Sequence, residues 1–164
     1  MQPQILFASI DNCCFFKLRG ELRYTNAAGM DELIEQLFSK PASCNQVIID
    51  LNEATFLDST HVGLLASLAR YCQQQQLPKP TLFSTRPQIN ELLYSLCLDQ
   101  AFQIVEKPTS ADVKLSGVTA ASYSEQQQGE MILRAHQALI ALNDKNKAEF
   151  QPLVDLLQQQ LTSR

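Results

Sequence analysis

The run Val47-Ile48-Ile49-Asp50-Leu51-Asn52-Glu53-Ala54-Thr55-Phe56-Leu57-Asp58-Ser59-Thr60-His61-Val62-Gly63-Leu64-Leu65 passes from a β-branched apolar block, through a polar triplet, into a second apolar block. Residues 47–51 carry apolar side chains on both alternating faces, which suits a central strand covered on each side. After an expected loop, Asp58-Ser59-Thr60 supplies the residue types that open a helix, and the pattern from Thr60 to Cys72 is helical. Strands that alternate with helices of this length argue for an α/β sheet with parallel crossovers.

The flanks extend the same alternation. Upstream, Ile5 to Ile10 and Cys13 to Leu18 are strand-like and are joined by Asp11-Asn12, so an antiparallel hairpin is expected, with Gly20 ending its second strand. Thr25 is the expected N-cap of a helix whose buried stripe is Met30, Leu33, Ile34 and Leu37, and Pro41 is expected to close it. Downstream, Pro78 and Pro80 stop the central helix, and Thr81 to Ser84 gives a strand. Pro87 opens a helix buried through Ile89, Leu92, Leu93 and Leu96, and Phe102 to Val105 closes the set. The expected fold is thus α/β, a mixed sheet of about five strands with helices packed on it. This unit is expected to span 1–107, followed by a Ser/Thr/Ala-rich linker over 108–124 and a helical hairpin over 125–164. In the hairpin, Ile132, Ala135, Leu139 and Leu142 share one face, as do Phe150, Leu153, Leu157 and Leu161 on a second helix that contains Pro152.

Composition narrows the function classes. At 45% apolar and 18% charged residues over 164 positions, the chain can bury a core. The formal charge of −4 comes with no basic run of the kind that phosphate backbones require, so direct nucleic-acid binding is not expected. No apolar run approaches the roughly 20 residues that span a bilayer, so no membrane insertion is expected and the expected location is cytoplasmic. The five cysteines lack paired C-x-x-C spacing and read as small core side chains, with one of Cys13 and Cys14 pointing to each face of a strand. No metal or cofactor motif is present in the sequence, and none is expected to be bound.

The chemistry sits at Asp58-Ser59-Thr60-His61. Hydroxyls at a helix start lie beside free backbone N–H groups and the positive end of the helix dipole, so a phosphate on Ser59 is held there without a dedicated basic residue. The phosphate adds about 1.5 to 2 negative charges next to Asp58, turning a neutral spot into an anionic one that repels a docked partner. The ordinary alternative is that the triplet is a helix cap and nothing more. Thr60 is a second candidate acceptor, since chemistry alone does not separate two neighbouring hydroxyls. His61 is expected as a solvated or capping side chain, with pairing to a phosphate the lesser alternative. Leu64, Leu68 and Tyr71 form a second apolar stripe on the same helix, which is either packed by neighbouring segments or is a docking face beside Ser59.

Residues 5–106 resemble the STAS domain, the fold shared by bacterial anti-sigma-factor antagonists and by regulatory segments of anion transporters. The matching pieces are Leu18-Arg19-Gly20-Glu21-Leu22, Val47-Ile48-Ile49-Asp50-Leu51, and Leu57-Asp58-Ser59-Thr60 followed by Val62-Gly63-Leu64-Leu65. In the antagonist branch the residue matching Ser59 is phosphorylated by a serine kinase that is also the anti-sigma factor, and a serine phosphatase reverses the modification. The resemblance implies that the unmodified form binds the anti-sigma factor and frees its sigma factor, regulating transcription. Two positions depart from the family pattern: Arg23 stands where an acidic residue is usual, on a loop that in the family lies near the phosphorylation site, and His61 stands where Gly is usual.

Two other functions fit the same residues less well. Asp58, Ser59 and His61 are too close along one helical turn to form a catalytic triad, no G-x-S-x-G elbow is present, and His136 lies far off in the tail, so no catalytic residue and no enzyme activity are expected. A STAS regulatory subunit of a membrane transport ATPase, working without phosphorylation, is the alternative function. The 125–164 helices suit three roles: packing on the domain, a homodimer contact, or contact with a regulator.

Overall fold

A computed structural model describes residues 2–40, 44–109 and 114–163. The chain opens with strands β1, Gln4–Ile10, and β2, Cys13–Leu22, paired antiparallel. Asp11 and Asn12 both take positive φ (51° and 63°), the left-handed geometry of a tight two-residue hairpin turn and one that Asp and Asn tolerate. β2 does not stop at Gly20. It bulges there, Gly20 taking φ 81°, and continues to Leu22.

Helix α1 covers Ala28–Ser39 and starts later than Thr25. A 3-10 turn over Tyr24–Asn26 intervenes, held by Arg23 N–H donating to Asn26 Oδ1 (3.1 Å) and by Asn26 Nδ2 donating to the Glu21 carbonyl (2.9 Å). The expected stop at Pro41 lies outside the described residues. Strand β3 runs over Gln46–Leu57, so the loop expected after Leu51 is strand. Its length follows from β2, which pairs with it in parallel as far as Leu22 opposite Leu57. Helix α2, Ser59–Gln74, follows after Asp58 alone.

Strand β4, Thr81–Phe83, helix α3, Pro87–Ser95, and strand β5, Gln103–Val105, complete the crossovers. A sixth strand, β6, is formed by Ser116–Gly117 inside the segment read as a linker; it pairs with the outer edge of β1. The strand order is β5-β4-β3-β2-β1-β6, parallel from β2 to β5 and antiparallel at β1 and β6.

Helices α4, Glu125–Ile140, and α5, Asp144–Thr162, form the hairpin. A capping box starts α4, with Gln127 N–H donating to Ser124 Oγ (3.1 Å) and Ser124 N–H to Gln127 Oε1 (2.9 Å), and α5 continues through Pro152. Met131, Ala135, Ala138 and Leu139 of α4 are buried in the same cluster as Phe16, Leu18, Ile49, Leu65 and Leu82. Through this face α4 packs into the same core as the sheet and α2.

Candidate functional site

Ser59 is the first residue of α2 and is half-buried. The backbone reaches it stiffly: Asp58 N–H donates to the Leu22 carbonyl (3.0 Å) at the end of β2, and the next residue is already helical. Asp58 is the N-cap. Its Oδ1 accepts from His61 N–H (3.0 Å), and its Oδ2 accepts from Tyr24 N–H (2.6 Å). The amides of Ser59 and Thr60, in the first turn, have no acceptor within the helix. Burial acts to raise the Asp58 pKa, but interactions with His61 and the amides of His61 and Tyr24 outweigh it and hold the carboxyl below its ordinary value. The His61 ring is 3.7 Å from Oδ1, beyond hydrogen-bonding reach, so we assign the lowering chiefly to the two amides.

The structure sorts the neighbours differently from the sequence expectations. His61 is fully buried, and neither ring nitrogen has a hydrogen-bond partner, so its side chain is neither solvated nor a cap. Thr60 is also buried, 3% exposed, which leaves Ser59 the more accessible of the two hydroxyls. Leu64, Leu68 and Tyr71 are at most 2% exposed and do not form an open docking face. The reason is packing: the Tyr71 ring meets Phe38 of α1 edge-on, and its hydroxyl donates to the Cys44 carbonyl (2.8 Å). Arg23 is exposed beside the site, its guanidinium 4.2 Å from the ring centre of Phe56. Tyr24 and Phe56 are exposed with it, at 46% and 38%.

One residue at the site was not legible as such in the sequence. His136 of α4, 2% exposed, places Nε2 2.8 Å from Ser59 Oγ. Its Nδ1 lies 2.7 Å from the Ile132 carbonyl. A carbonyl only accepts, so Nδ1 carries the proton and Nε2 of the neutral ring accepts from the seryl O–H. The ring also packs against Phe150 of α5, centres 5.5 Å apart. This Ser–His pair has no carboxylate behind the imidazole. Neither the cavity of about 450 Å³ between α2 and α4, lined by Ala66, Arg70, Cys72 and Ala138 among others, nor a second beside Asp31 is lined by Ser59 or His136.

The α2–α4 contact is close. A Cβ on Gly63 would lie 2.2 Å from the Ala135 carbonyl oxygen, so only glycine allows the two backbones this approach. On the far side of α4, Arg134 reaches Asp31 of α1 (2.7 Å), and Tyr123 Oη donates to the same carboxylate oxygen (2.7 Å). Asp31 is 3% exposed. Burial, first, and the neighbouring Asp31 carboxylate push the Tyr123 phenol well above its ordinary value.

Cys14, Cys44 and Cys72 are buried and Cys13 half-buried; burial pushes the Cys13 thiol up and, with Cys44 nearby, Cys72 up to about 12. Among the described residues no group of three or more His, Cys, Asp or Glu is placed to hold a metal ion, and no helix is long and apolar enough to cross a membrane.

Comparison with known proteins agrees with this architecture. The STAS domain profile matches residues 4–114. A structure of the Bacillus cell fate determinant SpoIIAA in its phosphorylated form is similar at a TM-score of 0.51 and 17% identity, covering 63% of this chain and 91% of that one. A structure of the anti-sigma factor antagonist SpoIIAA in its unphosphorylated form aligns at a TM-score of 0.46 and 18% identity, covering 57% and 82%. At these identities the likeness is one of fold. None of the curated proteins matches the chain.

Proposed function

This chain belongs to the STAS-domain family, and we propose that within it the chain acts as an anti-sigma factor antagonist, a binding switch controlled by phosphorylation of Ser59. The observation that carries the reading is the placement of Ser59 Oγ at the first position of α2, next to two amides without helical acceptors and to the carboxylate of Asp58. A serine kinase transfers the γ-phosphoryl group of ATP to Oγ: the Oγ–P bond forms, the bond to ADP breaks, and the hydroxyl proton leaves to the kinase. A serine phosphatase hydrolyses the ester. In the unmodified state the partner, the anti-sigma factor or kinase, docks beside Ser59 on the surface that carries Arg23, Tyr24 and Phe56. A dianion beside Asp58 then repels it.

The roles assigned to this chain's residues are acceptor for Ser59, with Thr60 the alternative, cap and electrostatic neighbour for Asp58, and partner contact for Arg23. None is catalytic. Incubation with the partner kinase and ATP is expected to add one phosphate at Ser59, located by mass spectrometry. Ser59→Ala is expected to bind the partner regardless of kinase activity. A phosphate found elsewhere, or equal partner binding by the unmodified and the phosphorylated protein, sinks the reading.

A further inference from the structure

We propose that helix α4 is a built-in occupant of the α2 face next to Ser59, and that docking of α4 and a phosphate on Ser59 exclude each other. The inference rests on the phospho-switch reading of Ser59 and adds its regulation: the hairpin of α4 and α5 covers the switch in the unmodified state, and phosphorylation releases it.

Two observations carry this. First, the seryl oxygen is in direct contact with α4, 2.8 Å from His136 Nε2. A phosphate adds a phosphorus and three oxygens to Oγ, and a contact of this length leaves no room for them between Ser59 and the His136 ring. Second, α4 has no slack along α2. The Gly63 and Ala135 backbones already approach as closely as a missing side chain permits, one turn from Ser59, so α4 yields by swinging away and not by sliding nearer.

The occupant of this α2 face in the unmodified chain is α4, and the partner of the unmodified form docks on the open side of Ser59, at Arg23, Tyr24 and Phe56, with α4 in place.

The test uses the full chain with phosphoserine inserted at position 59 during synthesis, so no kinase is needed, and follows amide hydrogen exchange by mass spectrometry. Exchange over residues 131–139 is expected to accelerate by an order of magnitude or more, while the β3 amides stay protected and report that the domain is folded. Removing the phosphate with alkaline phosphatase is expected to restore the protection. Ser59→Ala, which loses one hydrogen bond but adds no bulk or charge, is expected to accelerate exchange by only about 5-fold. Unchanged or stronger protection of α4 in the phosphoserine protein overturns the proposal, as does protection that fails to return, or release by Ser59→Ala as complete as that by phosphate. The two readings fail separately: finding no phosphate on Ser59 in cells removes the switch, whereas a protected α4 in the phosphoserine protein removes the cover.

Discussion

Gly63→Ala tests the packing of α4 on α2 with a single methyl group. In an exposed helix interior the change stabilises by about 1 kcal/mol, because glycine is the poorer helix former. Here the new Cβ lies 2.2 Å from the Ala135 carbonyl oxygen, 2.5 Å from its carbon and 2.8 Å from its Cβ, and two of these three atoms are backbone that no rotamer change moves aside. Helix α4 must retreat by roughly 1 Å to restore ordinary contact distances near 3.5 Å. Overpacking of a buried site costs about 1–3 kcal/mol, and a backbone clash belongs at the upper end of that range. Subtracting the helix gain leaves a net loss of about 2 kcal/mol, or roughly 30-fold faster exchange of the α4 amides. Urea unfolding followed by circular dichroism reads the first quantity and hydrogen exchange the second. Gly129→Ala is the matched control: its Cβ meets only the Leu161 side-chain tip at 3.1 Å, which can turn away, so this variant is expected to be neutral or slightly stabilised. A Gly63→Ala protein as stable as the parent, with α4 exchange unchanged, refutes the reasoning.

Two further outcomes follow from the same geometry. Asp58 has a folded pKa below its ordinary 3.8, so its stabilisation is complete above that value and is lost as the pH falls through the lower folded value; Asp58→Asn is expected to flatten this part of the acid limb in a series of melts below about pH 4. Asp31→Asn keeps the shape but loses the charge that Arg134 and the Tyr123 hydroxyl share, and it is expected to cost about 1.5–3 kcal/mol in urea unfolding, with α4 exchange rising first.

What the sequence disclosed is what local physics determines. The hairpin turn at Asp11-Asn12, the β-branched run of β3 and the Asp58 cap are each set by a few adjacent residues, and all three are present as expected. The start of α1 was misplaced because Asn26, not Thr25, supplies the side chain that organises the turn before it. Leu64, Leu68 and Tyr71 were legible as apolar but not as covered, since periodicity says that a helix has two apolar stripes and is silent on what lies over each. The Ser59–His136 contact joins residues 77 apart in sequence, and no spacing rule reaches that far. Its only trace was the pair of small residues, Gly63 and Ala135, on facing helices. β6 left none: two residues, Ser and Gly, on an outer edge carry no pattern.

That short strand sets the terms of competition for α2. Val118 N–H donates to the Ile5 carbonyl (2.9 Å), pinning the chain to the sheet edge only a few residues before Ser124 caps α4. A hairpin that lifts off therefore stays leashed within roughly 20 Å of its seat, since an extended residue spans at most about 3.5 Å. Short tethers of this kind hold their cargo at an effective concentration on the order of mM, and rebinding is unimolecular and independent of how much protein the cell makes. An outside helix present at micromolar levels thus meets a rival that is about a thousandfold more concentrated, and it wins only by binding more tightly.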